Sequence, residues 1–270
     1  MLMLNKILKN AVTIAIGGHI RPDGDCVGSC MGLYHYIRDN YSDKKVDVYL
    51  EEMPDKFYCL KSTEFIRHEI PKDEEYDLFI SLDCGDKERL GFSAPLFDQA
   101  KRTYCIDHHI SNTNFADVNH VEAEASSTCE VLCGLLDMER IDYFSAQAFY
   151  TGIIHDTGVF KHSNTGLFTM EIAGKLMQKG IPYGKIIDES FYMKTYRQLQ
   201  IMGRCLLESV RVMDGKVIFS VVSRRVMDFY EAKPSDLDGV IDEMRTTQGV
   251  EVAILLTEKD TIEYKVSMRS

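Results

Sequence analysis

Several features are missing from this 270-residue chain, and each absence excludes a class of protein. It has no tryptophan, only six prolines and no low-complexity tract, which excludes a collagen-like or disordered chain. No apolar run reaches about 18 residues, the length that a membrane-spanning helix needs. The apolar stretch at residues 1–20 lacks the small-residue cleavage pattern of a secretory signal. The sequence therefore predicts a globular cytoplasmic protein with no membrane partner.

Basic residues are also scarce, because 31 lysines and arginines stand against 42 aspartates and glutamates, a formal net charge of −11. This balance argues against long duplex nucleic acid as a partner, since duplex binding usually needs a basic face. A small phosphorylated ligand is still allowed, because a metal ion can supply positive charge locally. The eight cysteines include no C-x-x-C pair, so we expect buried reduced thiols rather than disulfides or a zinc site.

Short apolar runs in the first part of the chain predict strands buried in a sheet. These runs cover residues 12–16, 45–50, 77–83 and 102–106. Helical patterns separate them, which is typical of βαβ units and a parallel sheet. His19, Asp83 and His108 lie at or just beyond the ends of three of these strands. Because the carboxyl ends of parallel strands meet at one edge of a sheet, we expect these three side chains to converge.

The remainder of the chain predicts more helices and then a second, smaller unit. Ser126 or Ser127 is the expected N-cap of a helix at 126–138, and Glu130 is expected to complete a capping box from Ser127. Further helices are predicted at 145–154, 166–180, 185–208 and 234–246, and further strands at 216–222, 250–256 and 261–268. The predicted fold is α/β, with a parallel-sheet domain at residues 1–184, a helical connector at 185–208 and a partial second α/β domain at 209–270.

Histidines and carboxylates gather at the predicted strand and helix ends. The candidate metal ligands are His19, Asp23, Asp25, Asp83, His108 and Asp156. Such a set without thiolates suits Mn²⁺, Mg²⁺, Fe²⁺ or Co²⁺ better than a structural zinc. Six ligands are too many for one ion with an open position, but they suit two ions with one bridging carboxylate. Two ions roughly 3.5–4 Å apart can hold a hydroxide and clamp both oxygens of a phosphoryl displacement, which predicts phosphate-ester hydrolysis.

Each of these residues has an ordinary alternative when it is taken alone. The run 23–25 would more often form a turn, and a strand-end aspartate such as Asp83 often caps a helix. His35, His68 and His120 have no partner motif and are interpreted as surface or core residues. The metal-site interpretation therefore depends on all the motifs together.

Four motifs in this chain resemble those of the DHH phosphoesterases. They are His19-x-Arg21-Pro22-Asp23-Gly24-Asp25 with Gly28-Ser29, then Asp83, Asp107-His108-His109 and Asp156-Thr157-Gly158-x-Phe160. The likeness covers residues 12–165 in order and spacing, and the second unit is similar to the associated DHHA1 domain. The resemblance implies a Rossmann-like catalytic domain. It is strongest to the bacterial group that trims nanoRNA, dephosphorylates 3′-phosphoadenosine 5′-phosphate (pAp) and often cleaves linear or cyclic dinucleotides with Mn²⁺.

The resemblance also implies a role for each matched residue. One ion would be held by His19, Asp23 and Asp83, and the other by Asp25, Asp83, His108 and Asp156, so that Asp83 bridges them. The expected cofactors are two divalent ions, Mn²⁺ first and Mg²⁺ or Co²⁺ as alternatives. Asp107 would orient its neighbours by hydrogen bonds, and His109 would face the scissile phosphate as stabiliser or proton donor.

Substrate contacts are expected from two parts of the chain. Arg269 resembles a position that holds substrate phosphate from the second domain, and Ser270 adjoins it. His162 and Asn164 are further candidates beside the fourth motif. The expected substrates are short RNA oligonucleotides, dinucleotides or pAp, and a homodimer is left open.

One departure and two alternatives accompany this interpretation. In the family, a glycine-rich segment normally follows the run that resembles residues 268–270, and this sequence stops before it. We expect the metal centre to be retained without that segment. A family II inorganic pyrophosphatase shares the N-terminal motifs, but its C-terminal Ser-Arg-Lys-Lys-Gln-type segment is not found here. The second alternative is a nucleotide-binding regulator that has lost catalysis.

Overall fold

A computed structural model of the protein describes residues 3–72, 74–260 and 263–270, without the side chains of residues 3 and 5. The chain divides into two compact units, the first ending at Tyr192 and the second beginning at Met193. Within the described ranges, no helix has the length and apolar character needed to cross a bilayer. The eight cysteines are free thiols, and Cys59 alone among them is exposed rather than buried.

The first unit alternates strands and helices as the apolar pattern predicts. Its elements are α1 (Met3–Asn10), β1 (Thr13–Gly17), α2 (Gly24–Asn40), β2 (Lys45–Tyr49), β3 (Leu78–Leu82), α3 (Ala94–Gln99), β4 (Thr103–Asp107), β5 (Val118–Val121), α4 (Thr128–Leu135), α5 (Tyr143–Asp156), α6 (Leu167–Gln178) and α7 (Tyr183–Ile187). Short 3-10 turns lie at 55–57, 63–65, 88–93 and 138–140, and a π-helical turn follows α7 at 188–192.

The strands of this unit form one parallel sheet in the order β2-β1-β3-β4-β5. Strands β3 and β4 are buried along their whole length, as expected for strands covered on both faces. The α/β fold class with a parallel sheet is confirmed. Strand β5 is half-buried and four residues long, too short for its apolar alternation to predict it.

Helices α2 and α5 pack closely against one another beside this sheet. A Cβ atom at Gly28 would lie 2.6 Å from the carbonyl oxygen of Ala148, so the α2 backbone touches α5 at that point. Gly32 has the same role against the ring of Phe149. This contact matters for function because α2 begins, and α5 ends, at the carboxyl edge of the sheet.

The second unit is a smaller α/β structure around a mixed sheet in the order β6-β7-β8-β9. Its elements are α8 (Tyr196–Leu207), β6 (Val210–Val212), β7 (Val217–Val222), α9 (Arg224–Phe229), α10 (Val240–Arg245), β8 (Val252–Asp260) and β9 (Glu263–Arg269), with a 3-10 turn at 234–237. The pair β7 and β8 is parallel, and the two outer pairs are antiparallel. Residues 261 and 262, the predicted start of the last strand, lie outside the described ranges.

Two predicted helices are broken in the structure. The connector predicted at 185–208 is not continuous, because α8 begins anew at Tyr196. Its N-cap is Thr195, whose hydroxyl accepts from the backbone N of Gln198 and whose own backbone N donates to the side-chain oxygen of Gln198. The predicted helix at 234–246 is divided at Gly239, whose φ of 82° is left-handed and ends any regular helix. Both patterns had the right apolar spacing, but capping and backbone conformation interrupt it.

Candidate metal centre

The first candidate ligand, His19, follows β1 and is buried, with 4% of its surface exposed. Its Nδ1 lies 2.8 Å from the carbonyl oxygen of Ile20, which fixes the ring and leaves Nε2 for other partners. Nε2 lies 3.4 Å from Oδ2 of Asp83 and 3.6 Å from Oδ2 of Asp23. One imidazole nitrogen therefore faces two carboxylates that come from different parts of the chain.

The start of α2 supplies two carboxylates with different surroundings. Asp23 is the N-cap, and its Oδ1 accepts hydrogen bonds from the backbone N of Asp25 and of the next residue. Its other oxygen is left for His19, and the side chain is 60% exposed. Asp25 is completely buried and accepts bonds from the backbone N of Thr128 at 2.6 Å and of Cys129 at 3.0 Å. The N-terminal amides of α4 thus hold a carboxylate that water does not reach.

Asp83 lies at the centre of the cluster, directly after β3. Its φ of 56° places a non-glycine residue in the left-handed region, which costs about 1–3 kcal/mol and is typical of functional turns. In this turn, each oxygen of the Asp83 carboxylate faces a different histidine. Oδ2 lies 3.4 Å from Nε2 of His19, and Oδ1 lies 3.6 Å from Nε2 of His108.

His108 and Asp156 complete the opposite side of the cluster. His108 Nε2 lies 3.1 Å from Oδ2 of Asp156 and 3.9 Å from Oδ2 of Asp25. The other ring nitrogen of His108 lies 3.4 Å from the carbonyl oxygen of Ala125. Asp156 is the last residue of α5, so the buried helix that packs on α2 delivers its terminal carboxylate to the cluster.

The two residues on either side of His108 form a separate pair. Asp107 is buried, and its Oδ1 lies 2.7 Å from Nδ1 of His109 while its Oδ2 accepts a 2.6 Å bond from Asn112. The hydrogen bond with Asp107 raises the pKa of His109 even though burial opposes its charge. The hydrogen bond with Asp107 therefore holds the His109 ring in one orientation and favours its protonated form.

The buried carboxylates and imidazoles of the cluster shift one another's pKa values. Burial, followed by the neighbouring charge of Asp83, raises the pKa of Asp25 and of Asp156. Burial disfavours charge on the histidines too, but hydrogen bonds with carboxylates raise the pKa of His19 to about 12 and of His108 to about 10. Crowded carboxylates of this kind take up protons unless a cation is present.

The spacing of these atoms fits divalent metal ions. Two ligand atoms that each lie about 2.0–2.2 Å from an ion are about 3–4 Å from one another. The nitrogen-to-oxygen distances in the cluster run from 3.1 to 3.9 Å. Cys26, one of the cysteines expected to be buried reduced thiols, also has its sulfur within 4.8 Å of ligand atoms of His19 and Asp83.

The predicted substrate residues lie in two places. His162 Nδ1 and the amide of Asn164 are both 3.2 Å from the carbonyl oxygen of Asp156, and the Asn164 amide also donates to the Ser126 carbonyl at 3.1 Å. Arg269 and Ser270 lie in the second unit, where Nε of Arg269 is 3.3 Å from a carboxylate oxygen of Asp242. His162 and Asn164 therefore border the cluster through their contacts with the backbone carbonyl of Asp156.

Sequence reasoning missed several residues that contact the cluster. Thr128 was recognised only as part of a helix start, and nothing in the pattern singled out Asn112. Glu130 does not close a capping box with Ser127, because its carboxylate instead bonds Ser126 at 2.5 Å and Thr169 at 2.6 Å. Ser127 itself is the N-cap of α4, as predicted.

The chain is similar to several known proteins. The family described as "DHH family, N-terminal domain" matches residues 13–153. The bifunctional oligoribonuclease and PAP phosphatase of Thermus thermophilus is 26% identical over 271 residues, covering 95% of this chain and 76% of that protein. The enzyme of the same name from Bacillus subtilis is 22% identical over 265 residues, with 96% and 81% covered. A solved exopolyphosphatase-related protein from Bacteroides fragilis is 25% identical with a TM-score of 0.88, covering 99% of this chain and 82% of that one.

The family match spans more than half of the chain, and it includes the strands and helices that carry most of the cluster. The chain therefore belongs to the DHH family. The family and the relatives together make it a phosphoric-ester hydrolase.

Proposed function

We propose that this enzyme hydrolyses short oligoribonucleotides and dinucleotides from the 3′ end and also removes a phosphate from pAp, with two divalent ions as cofactors. The observation that carries the proposal is the position of Asp83, whose two oxygens face His19 and His108 separately. A carboxylate in that position suits a bridge between two ions. We propose Mn²⁺ as the ion, with Mg²⁺ or Co²⁺ as alternatives, because the donors are imidazoles and carboxylates.

The proposed ligands follow the grouping in space. His19, Asp23 and Asp83 would hold one ion, and Asp25, Asp83, His108 and Asp156 the other. When bound, the ions would polarise the phosphate and activate water for attack.

A side chain of the protein would then protonate the leaving oxygen. The attacking water oxygen would form a bond to phosphorus and release its proton to solvent, while the bond from phosphorus to the leaving ribose oxygen breaks. His109, protonated and oriented by Asp107, supplies the proton that this oxygen takes up. Arg269, Ser270, His162 and Asn164 are proposed to contact substrate phosphate or nucleoside.

The choice of substrate is supported by the relatives and by charge. The two relatives described above are named as oligoribonuclease and PAP phosphatase. Both substrates are small and carry few phosphates, which agrees with a chain of net charge −11. Free thiols throughout agree with a reducing cytoplasm. We propose residues 1–184 as the catalytic domain, 185–208 as the connector and 209–270 as the substrate-binding domain.

The test is hydrolysis of a diadenylate dinucleotide and of pAp by the intact chain with Mn²⁺, Mg²⁺ or Co²⁺. Asp83→Ala is expected to abolish both activities, because both proposed ions lose a ligand. Asp98→Ala is the matched control, since Asp98 is an exposed carboxylate of the same unit that pairs with Lys87. If the unchanged chain turns over neither substrate, the substrate assignment is wrong. If Asp83→Ala remains active, the bridging role is wrong.

A further inference from the structure

The first residue of α4 forms hydrogen bonds with carboxylates of the cluster, although it belongs to none of the sequence motifs. Thr128 is the first residue of α4 and is completely buried. Its backbone N donates to Oδ2 of Asp25 at 2.6 Å, and its hydroxyl donates to Oδ1 of Asp83 at 3.1 Å. A single residue therefore contacts two of the proposed ligands.

The hydroxyl bond matters because of the oxygen that it reaches. Oδ1 of Asp83 is the oxygen that faces His108, while Oδ2 faces His19. Rotation of the carboxylate would exchange or misplace these two faces. The Thr128 hydroxyl opposes that rotation by donating to Oδ1, and it does so for a residue whose backbone is already in the left-handed region.

The segment before Thr128 is itself fixed by buried hydrogen bonds. The Glu130 carboxylate accepts bonds from the hydroxyls of Ser126 and of Thr169, which tie the segment to α6. Ser127 caps α4 by accepting from the backbone N of Glu130 at 3.1 Å. Since Glu130 is 5% exposed, water competes little for these bonds. Thr128 is thus held on a rigid support, which a positioning hydroxyl needs.

We propose that Thr128 is a positioning residue whose hydroxyl sets the orientation of Asp83, and through it the affinity of the centre for divalent ions. This inference rests on the proposed function, because it needs Asp83 to be a metal ligand. The contribution acts on ion binding and not on the chemical step. Loss of a partner that orients a metal ligand typically costs about 10- to 100-fold in metal affinity.

The test compares three threonine variants in a Mn²⁺ titration followed by electron paramagnetic resonance of the free ion. Thr128→Val removes the hydroxyl and keeps the branched shape, whereas Thr128→Ser keeps the hydroxyl. Thr151→Val is the matched control, because Thr151 is buried in α5 and, among the described residues, its hydroxyl donates to the Gln147 carbonyl alone. We expect Thr128→Val to bind Mn²⁺ about tenfold or more weakly, while the other two bind like the unchanged chain.

Hydrolysis rates then distinguish a positioning role of Thr128 from a general loss of structure in the variant. At saturating Mn²⁺ we expect Thr128→Val to recover most of its kcat with little change in KM for the dinucleotide. Wild-type Mn²⁺ affinity in Thr128→Val, or equal weakening in Thr128→Val and Thr151→Val, would overturn the proposal. Failure of Thr128→Ser to restore binding would overturn it too. Asp83→Ala tests separately whether Asp83 is a metal ligand, because unchanged Mn²⁺ binding in that variant would contradict the proposed metal centre.

Discussion

His109 Nδ1 lies 2.7 Å from Oδ1 of Asp107, and this pair stands beside the cluster of candidate ligands without belonging to it in the proposed arrangement. The carboxylate is fixed on its other side by the amide of Asn112 at 2.6 Å. We propose that this amide-carboxylate-imidazole chain orients a proton donor toward the leaving oxygen of the substrate. It predicts a residue that is needed for turnover but not for ion binding.

Replacing His109 with alanine is therefore expected to lower kcat by about 10²- to 10⁴-fold, the usual contribution of a general acid. Mn²⁺ affinity should stay within a few fold of that of the unchanged chain. Steady-state kinetics with a dinucleotide and Mn²⁺ titration measure the two effects. His68→Ala is the control, since His68 is exposed and contacts only the Leu50 carbonyl in the described ranges. A loss of ion binding equal to the loss of rate would make His109 a ligand instead.

Asp156→Asn is expected to separate stability from metal binding. The pKa of Asp156 is raised by burial and by nearby carboxylates, so removing its charge relieves repulsion in the metal-free protein. We expect the free energy of unfolding in EDTA to be unchanged or higher, by up to about 1 kcal/mol. The extra stability that Mn²⁺ gives the unchanged chain by mass action should be reduced. Thermal unfolding in EDTA and in Mn²⁺ measures both, and an equal Mn²⁺ stabilisation in the variant would contradict a ligand role.

Asp77 is expected to make the fold sensitive to acid. Its carboxylate pairs with Lys101 at 2.8 Å and accepts bonds from the backbone N of Val12 and of Thr13, and these contacts lower its pKa. Because the folded pKa is the lower one, the stabilisation is present above the unfolded value of about 3.9 and is lost as the pH falls toward the folded pKa.

Asp77→Asn should therefore cost about 1 kcal/mol of unfolding free energy at pH 7 and progressively less below about pH 4. This cost is small because Lys101 is 71% exposed, so water screens its attraction to Asp77. Urea unfolding between pH 7 and pH 2.5 measures the difference. Asp98→Asn breaks an exposed lysine pair and is expected to have a smaller effect at every pH. A difference between Asp77→Asn and the unchanged chain that does not vary with pH would contradict this explanation.

The contact between α2 and α5 gives a prediction about stability and the site together. Gly28→Ala would place a Cβ 2.6 Å from a backbone oxygen of α5, so the helices must move apart. Overpacking of this kind costs about 1–3 kcal/mol. Because α2 begins and α5 ends at the cluster, Mn²⁺ affinity should fall as well.

Gly174→Ala is the matched control for that substitution. A Cβ at Gly174 meets nothing within 4 Å, and the residue lies inside α6. The alanine should stabilise the protein by about 0.5–1 kcal/mol through helix propensity. Urea unfolding of both variants tests the pair, and equal effects of the same sign would show that the α2–α5 contact is not the cause.

The sequence by itself determined the parallel sheet and the residues at its edge. Strands β1, β3 and β4 were predicted because buried strands are continuous apolar runs, and parallel ends share one edge. That rule alone brings His19, Asp83 and His108 into one place. By contrast, the helix predicted at 185–208 was wrong, because apolar spacing does not reveal the new N-cap at Thr195.

Only the tertiary structure decided how the cluster is held. The bond from Thr128 to Asp83 joins residues 45 positions apart, and the bonds from α4 to Asp25 join residues 103 and 104 positions apart. A hydroxyl and a backbone amide leave no periodic trace in a sequence, because their partners are set by the packing of helices on a sheet. Residue chemistry predicted the candidate ligands, whereas packing set the direction in which each oxygen of Asp83 faces.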